Sequence, residues 1–382
     1  MRTSSCTKPI AITSCDTAST DTACTDTLSS TGSSCTPPDI YQTNSTNKLN
    51  RSTGSLRTPT DIRQTERVNS QSPLGDCEAS LSAVQDSANL KQSTQYIGRF
   101  APSPSGSLHN GSLVAAMASY LDARAHRGRW LLRIEDIDTP RVIPGADTLI
   151  MQQLQQLGMH WDEEPIWQSQ CLSRYEQAFN ELQAHGLIYG CSCTRKEIAD
   201  SAIALGLHEQ GQYPYTGTCR RGTNKPVRAW RLRMPEGIFS FEDRWLGLQQ
   251  QDIQAEVGDI IIKRADGVFA YQLVVVLDDA FQGITDIVRG QDLMDSTERQ
   301  ICIANYFDFK IPRYMHVPLV CDEQGRKLSK QNHAHPIDTK HALSSLTGAW
   351  QALGFAPFVT TSVESFWTQA TALWAQRFKI KA

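Results

Sequence analysis

Between Gln95 and Asp136 the chain switches twice between the repeat of a strand and the repeat of a helix. QYIGRF (95–100) is apolar and strand-like, and SLVAAMASYLDARAHRG (112–128) reads as a helix closed by Gly128 at the C′ position. WLLRIED (130–136) is a second apolar strand. Strand, helix and strand in so short a span predict a right-handed βαβ unit, and so an α/β body built on a parallel sheet.

The rest of the body extends this pattern. ADTLIMQQLQQLGM (146–159) and LSRYEQAFNELQAHG (172–186) space apolar residues three and four apart, as amphipathic helices do. From Cys191 to about Trp245 the texture changes to short strands and turns, which predicts an inserted module over about 190–250. DGVFAYQLVVVLDD (266–279) and ITDIVRG (284–290) return to sheet-like runs, and DLMDSTERQICIANYF (292–307) predicts a helix. RYMHVPLVCDEQGRKLSK (313–330) predicts a strand running into a loop, and about 338–382 a helical C-terminal segment in which Trp367 and Trp374 serve core packing.

Residues 1–94 lack any such pattern. They hold 34 Ser or Thr, and Tyr41 is their one aromatic residue out of 30 in the chain, too few apolar groups to offset the entropy of ordering. The sequence therefore predicts a disordered tail over 1–94 and a body over 95–382. Acidic residues are as frequent as basic ones in that tail, unlike a transit peptide. Cys6, Cys15, Cys24 and Cys35 lack the spacing of a metal site.

A net charge of −3 describes neither a strongly basic nucleic-acid binder nor a membrane-surface binder, so a polyanion would have to meet a local patch. The best candidate is CRRGTNKPVRAWRLR (219–233), where Arg220, Arg221, Lys225, Arg228, Arg231 and Arg233 surround Trp230 without an acid. The same residues would also serve as a charged strand edge that resists aggregation. No apolar run approaches the roughly 18–20 residues that span a bilayer, and MRTSSCTKPIAITSC lacks the apolar core of an export signal. A cytoplasmic monomer is the expectation. The eleven cysteines, odd in number and scattered, fit thiols or metal ligands better than a disulfide framework.

Two loops carry the chemistry. RFAPSPSGSLHNGS (99–112) joins a strand to a helix start, where unpaired N–H groups and the helix dipole attract an anion. Gly111 would admit a ligand close to the backbone, and His109 would donate to a phosphate oxygen. Far downstream, GRKLSKQNHA places Lys327 and Lys330 on either side of Ser329, two ammonium groups suited to charge moving between phosphates. Either loop alone is commonplace: a capped helix start, a solvated basic turn.

Together with LRIEDIDTPR, FAYQLVVVLDD and GITDIVRGQDL, they form five collinear segments from about Gln95 to His335 that resemble class I aminoacyl-tRNA synthetases in their glutamate-specific form. SPSG, HNGS and KLSKQNHA resemble the short paralogous group that joins glutamate to queuosine in tRNA(Asp). So does the short stretch after Lys330, too short for a helical anticodon-binding region. Ser112 stands where the general class motif has a second His, and Gln331 where it has a final Ser.

The resemblance implies a Rossmann-like parallel sheet with an inserted zinc-bearing module and a short helical C-terminus. It implies ATP-dependent activation of L-glutamate, with Mg²⁺ accompanying ATP, and transfer to the wobble queuosine of the tRNA(Asp) anticodon arm. Arg99, Glu135, Tyr271 and Arg289, with the Phe100, Ala101, Pro102 and Ser103 loop, would bind glutamate. Two guanidiniums suit its carboxylates and one acid its ammonium. His109, Gly111, Ser112, Lys327, Ser329 and Lys330 would bind ATP, with His109 and Lys330 catalytic; Asp136 and Asp138 lie nearby without an assigned role. The family pattern Cys-x-Cys then Tyr-x-x-x-Cys points to Cys191, Cys193, Tyr215 and Cys219 as zinc ligands, with His208 as rival to the tyrosine. Two other readings stand beside this one: a truncated glutamyl-tRNA synthetase charging a tRNA 3′ end, and a non-catalytic RNA-binding relative.

Overall fold

The computed structural model describes residues 95–207, 213–320 and 336–381. The tail reading for 1–94, the lysine loop with Lys327, Ser329 and Lys330, and His208 lie outside the described residues.

The βαβ unit forms as its periodicity requires. Strand β1 (Ile97–Phe100) leads through the Pro/Ser loop to α1 (Asn110–Ala125), and β2 (Arg129–Ile134) returns parallel to β1, Arg99 facing Leu131. Helix α1 is buried on nearly every side, from Leu113 and Met117 to Leu121 and Ala125, so it is the centre of the main core. The helix ends differently from the expectation. Arg127, at φ 53°, takes the left-handed position expected of Gly128. Gly128 is needed for another reason: a Cβ there would stand 2.4 Å from the carbonyl oxygen of Tyr96.

The chain continues through α2 (Ala146–Gln156), the short β3 (Ile166–Trp167), which pairs parallel with β2, and α3 (Leu172–Ala184). Strand β4 (Ile188–Cys191), α4 (Arg195–Ala204), β5 (Ala229–Leu232), β6 (Ile238–Asp243), β7 (Gly247–Asp252), the single-turn α5 (Ile253–Glu256) and β8 (Ile260–Arg264) follow. The segment read as one inserted module thus supplies two sheets. Strands β4, β5 and β8 pair antiparallel with each other, whereas the β6–β7 hairpin continues the sheet of β9 (Asp286–Gly290) and β10 (Arg313–Val317). Strand β10 runs parallel to β9 and meets β6 at Tyr314 and Asp243. The parallel β1–β2–β3 sheet adjoins this mixed sheet where Thr285 N–H donates to the Ile97 carbonyl at 2.9 Å.

One run departs from its expected state. FAYQLVVVLDD is helical: α6 spans Tyr271–Phe281. An uninterrupted apolar run fits a buried strand and a buried helix equally. Here every residue from Leu273 to Asp279 is buried, and the helix satisfies its own backbone while two acids at its end face arginines. Helix α7 (Thr297–Tyr306) precedes β10, and α8 (Ala342–Ala352) and α9 (Val363–Arg377) close the core over α1. Trp367 and Trp374 are core residues as expected; their indole N–H groups donate to the Leu157 carbonyl and to Asp122.

Asp122, fully buried on α1, is the tie between these parts. It accepts from Tyr96 Oη at 2.6 Å, from both terminal nitrogens of Arg244 at 2.6 and 2.8 Å, and from Trp374 Nε1 at 3.0 Å. Burial alone would raise its carboxyl, but Arg244, Tyr96 and Trp374 outweigh it and hold Asp122 below the usual carboxylate value.

Candidate active site

A cavity of about 700 Å³ opens at the C-terminal ends of β1, β2, β9 and β10, beside the first turn of α1. Crevices at the carboxyl ends of parallel strands are where open α/β sheets bind ligands. Arg99, Phe100, Ala101 and Ser103 line it from the end of β1, Glu135 from β2, Arg289 from β9, and Tyr271 from the first residue of α6. His109, Gly111 and Ser112 line it from the start of α1. Pro102 is used differently, its carbonyl accepting Glu135 N–H at 3.0 Å.

Both arginines are aimed by buried partners. Arg99, 3% exposed, lies side-on to Asp279, with Nε at 3.0 Å from Oδ1 and Nη2 at 3.4 Å from Oδ2. The same Oδ1 takes Arg133 Nη1 at 2.7 Å, and Arg133 Nη2 reaches Glu135 Oε1 at 3.2 Å. Next to it, Asp278 accepts from Arg174 Nη1 at 2.7 Å and from Gln168 Nε2 at 2.9 Å. Burial opposes ionised Asp279, but Arg133 and Arg99 reverse the balance and hold it below its usual value. Burial pushes Glu135 the other way, above its usual value, with Arg133 and Arg99 opposing and Asp279 reinforcing.

Arg289 is ringed by neutral acceptors. Nε donates to His316 Nε2 at 3.0 Å, Nη1 to Gln300 Oε1 at 2.8 Å, and Nη2 to Thr297 Oγ1 at 2.8 Å and to the Leu293 carbonyl at 3.3 Å. Tyr271 carries a phenol pushed upward by burial, with Arg289 acting against it. The wall therefore offers two cations, one acid and one hydroxyl.

Also lining the cavity, His109 is the N-cap of α1, in extended conformation, its Nδ1 accepting Ser112 N–H at 3.3 Å. In the neutral ring that bond places the proton on Nε2, leaving this nitrogen the donor. The two nearby acids are engaged: Asp136 accepts from Ser169, and Asp138 from Arg264 Nη1 at 3.0 Å on the cavity rim.

A second cluster lies between β4 and the turn after Tyr215. The sulfurs of Cys191, Cys193 and Cys219 lie within 4.8 Å of one another, with Cys193 and Cys219 at 3.5 Å. Three thiolates about 2.3 Å from one tetrahedral zinc would stand about 3.8 Å apart, so the set fits a metal. Tyr215 Oη accepts from the Cys191 thiol at 3.4 Å and from Cys219 N–H at 2.8 Å. Burial opposes a thiolate at Cys219, yet hydrogen bonds from Ser192, Cys193 and Tyr215 bring it to about 6. Burial and the neighbouring Cys219 hold Cys193 up at about 12.

The basic stretch after this cluster is mostly committed to protein. Arg220 pairs with Asp259, Lys225 with Glu197, Arg231 Nη1 with the Asp259 carbonyl, and Arg233 with two backbone carbonyls. Arg221 and Arg228 are exposed. Lys225 is exposed beside them and Arg231 is buried, so the exposed cations are fewer than the six in the stretch.

Sequence reading missed Asp279, Arg133, His316 and Asp243. The signals were two adjacent acids ending an apolar run, and a lone His inside an apolar strand.

Residues 96–344 match the family model for the catalytic domain of class I tRNA synthetases (E and Q). The chain is similar to the Glutamyl-Q tRNA(Asp) synthetase of Bordetella bronchiseptica, 55% identical over 77% of this chain and 93% of that protein. Similarity extends to that of Burkholderia orbicola, 51% identical over 75% and 98%. Among solved structures it resembles the glutamate-tRNA synthetase of Elizabethkingia anophelis, with TM-score 0.54, 26% identity, and coverage of 62% of this chain and 53% of that one. A glutamate tRNA ligase from Elizabethkingia meningosepticum, solved in complex with its amino acid, gives TM-score 0.55, 25% identity, and coverage of 71% and 56%. The chain spans about half the length of these two structures.

Proposed function

The chain belongs to the class I tRNA synthetases of the E and Q group, and on that premise we propose that it activates L-glutamate with ATP and transfers it to queuosine at the wobble position of tRNA(Asp). One observation carries the reading. A single cavity joins a wall of two cations, one carboxyl and one phenol to a helix start capped by a histidine.

In this reading Arg99 and Arg289 hold the glutamate carboxylates, Glu135 accepts from the α-ammonium, and Tyr271 adds a hydroxyl. An α-carboxylate oxygen attacks the α-phosphorus of ATP, the bond from that phosphorus to the bridging oxygen breaks, and pyrophosphate leaves. The protein supplies position and charge, with no covalent intermediate on its own side chains. His109 Nε2, the N–H groups of Gly111 and Ser112, and the lysine loop with Lys327, Ser329 and Lys330 hold phosphate; Lys330 meets the charge that develops on it. A hydroxyl of the queuosine cyclopentene-diol then attacks the acyl carbon and AMP leaves with the shared electron pair, the hydroxyl proton passing to solvent. Cys191, Cys193 and Cys219, with Tyr215 as fourth ligand, hold one zinc ion that braces the β4–β5–β8 sheet.

Labelled glutamate offered with ATP and purified enzyme to tRNA(Asp) with queuosine, tRNA(Asp) without it, and tRNA(Glu) tests the reading. Queuosine-dependent labelling of tRNA(Asp) that survives prior periodate blocking of the 3′ terminus, with the queuosine diol introduced intact afterwards, supports it. Labelling of tRNA(Glu), abolished by periodate, would make the chain a minimal charging enzyme instead.

A further inference from the structure

The Arg289 side chain does not orient itself. A guanidinium has five N–H donors, and four contacts within the protein are made by Arg289, to His316, Gln300, Thr297 and Leu293. What remains for a ligand is one Nη1 N–H, whose direction is set by the bonds along the other edges of the planar group. His316 sits on the Nε edge. Behind it, the other ring nitrogen lies 2.7 Å from Asp243 Oδ2, and Asp243 in turn accepts the His316 backbone N–H and those of Trp245 and Leu246. Arg289, His316 and Asp243 are all buried.

We propose that His316 is a positioning residue for glutamate binding: as the neutral Nδ1–H tautomer, locked by Asp243, it fixes the Arg289 guanidinium in the cavity wall. The assignment follows from donors and acceptors. Arg289 Nε can only donate, so His316 Nε2 must accept, and Thr297 Oγ1, 3.2 Å from the same nitrogen, converges on that lone pair. The ring proton therefore lies on Nδ1, facing the carboxylate. A doubly protonated ring would set N–H against N–H and one cation against another, and the Arg289 contact would break.

The groups around the ring suit a neutral imidazole. Arg289 faces it from β9 and Asp243 from the end of β6, Thr297 from the start of α7, Phe241 on β6 lies edge-on at 6.2 Å, and Tyr314 on its own strand stacks at 6.1 Å. Burial lowers the imidazole below its usual value, Asp243 opposes, and Arg289 and the more distant Arg99 reinforce the fall.

This inference rests on the glutamate reading of the cavity, and the test separates the two. ATP–pyrophosphate exchange dependent on glutamate is measured for the parent, His316→Ala and His316→Gln, with KM for glutamate and for ATP taken separately. His316→Ala leaves a buried Nε–H without an acceptor, and the glutamate KM is expected to rise by about tenfold or more while the ATP KM stays within about twofold. His316→Gln, whose Oε1 restores the acceptor, recovers most of the loss. A folded His316→Ala with unchanged glutamate KM, or with both KM values raised alike, overturns the proposal. Nitrogen-15 NMR of the parent decides it without any variant. An unprotonated Nε2 and protonated Nδ1 at neutral pH support it, and a protonated Nε2 overturns it even if His316→Ala does not fold. No glutamate-dependent exchange in the parent would instead sink the glutamate reading itself.

Discussion

Asp279 meets Arg99 edge to edge, two nitrogens against two oxygens at 3.0 and 3.4 Å, and both groups are buried. The carboxylate thus covers the Nε–Nη2 edge of the guanidinium. Because Arg133 shares the same oxygen, Asp279 compensates two cations at once.

Asp279→Asn is expected to lower stability by about 3–5 kcal/mol, since it strands buried charge, and to raise the glutamate KM by about an order of magnitude. Denaturant unfolding and the exchange assay report the two effects separately. A destabilised variant with unchanged KM would confine Asp279 to scaffolding.

Glu135 should behave in the opposite sense toward stability. Its folded carboxyl titrates above the unfolded value because of burial, so between those two values the native state holds the extra proton. Stability from this group is present below the unfolded value and is lost as pH rises through the folded one. Glu135→Gln removes that loss. Melting curves at pH 8 should show the variant at least as stable as the parent while its glutamate KM rises steeply; a variant less stable at pH 8 contradicts the sign.

Lys330→Ala should reduce adenylate formation by about 10²–10³, the usual effect of deleting one donor to developing charge, without moving the melting temperature. Single-turnover formation of glutamyl-adenylate measures this directly. Exchange kinetics equal to the parent's would remove the lysine loop from the chemistry.

Metal analysis of the purified protein should find about one zinc per chain, as one tetrahedral site requires. Cys219→Ser should lower that content, and Tyr215→Phe compared with His208→Ala identifies the fourth ligand. Full retention of zinc in Tyr215→Phe with loss in His208→Ala would replace the tyrosine.

The residues given roles in the proposed reaction were legible through the resemblance of collinear motifs to a known family: RFAPSPSGSLH, LRIEDIDTPR, FAYQLVVVLDD and GITDIVRGQDL. Their supports were not. His316 lies in MHV, indistinguishable by pattern from any strand interior, and its partner Asp243 comes from a hairpin 73 residues earlier. The run LVVVLDD shows the limit of periodicity: its valines favour a strand, an unbroken apolar run fits a buried strand or a buried helix equally, and the structure has it in helix α6. Gly128 was read as the C′ residue that closes the helix, a position Arg127 takes instead; the close approach of Gly128 to the Tyr96 backbone needs the paired strands to be seen.

The Asp122 junction sets a schedule for synthesis. One of its partners, Tyr96, leaves the ribosome before it, Arg244 follows 122 residues later, and Trp374 comes 252 residues later. At roughly 5–20 residues per second, on the order of ten to fifty seconds separate the first core helix from the last group that completes its buried carboxylate. Until Trp374 has been made, Asp122 lacks one of the donors that hold its carboxylate in the folded protein.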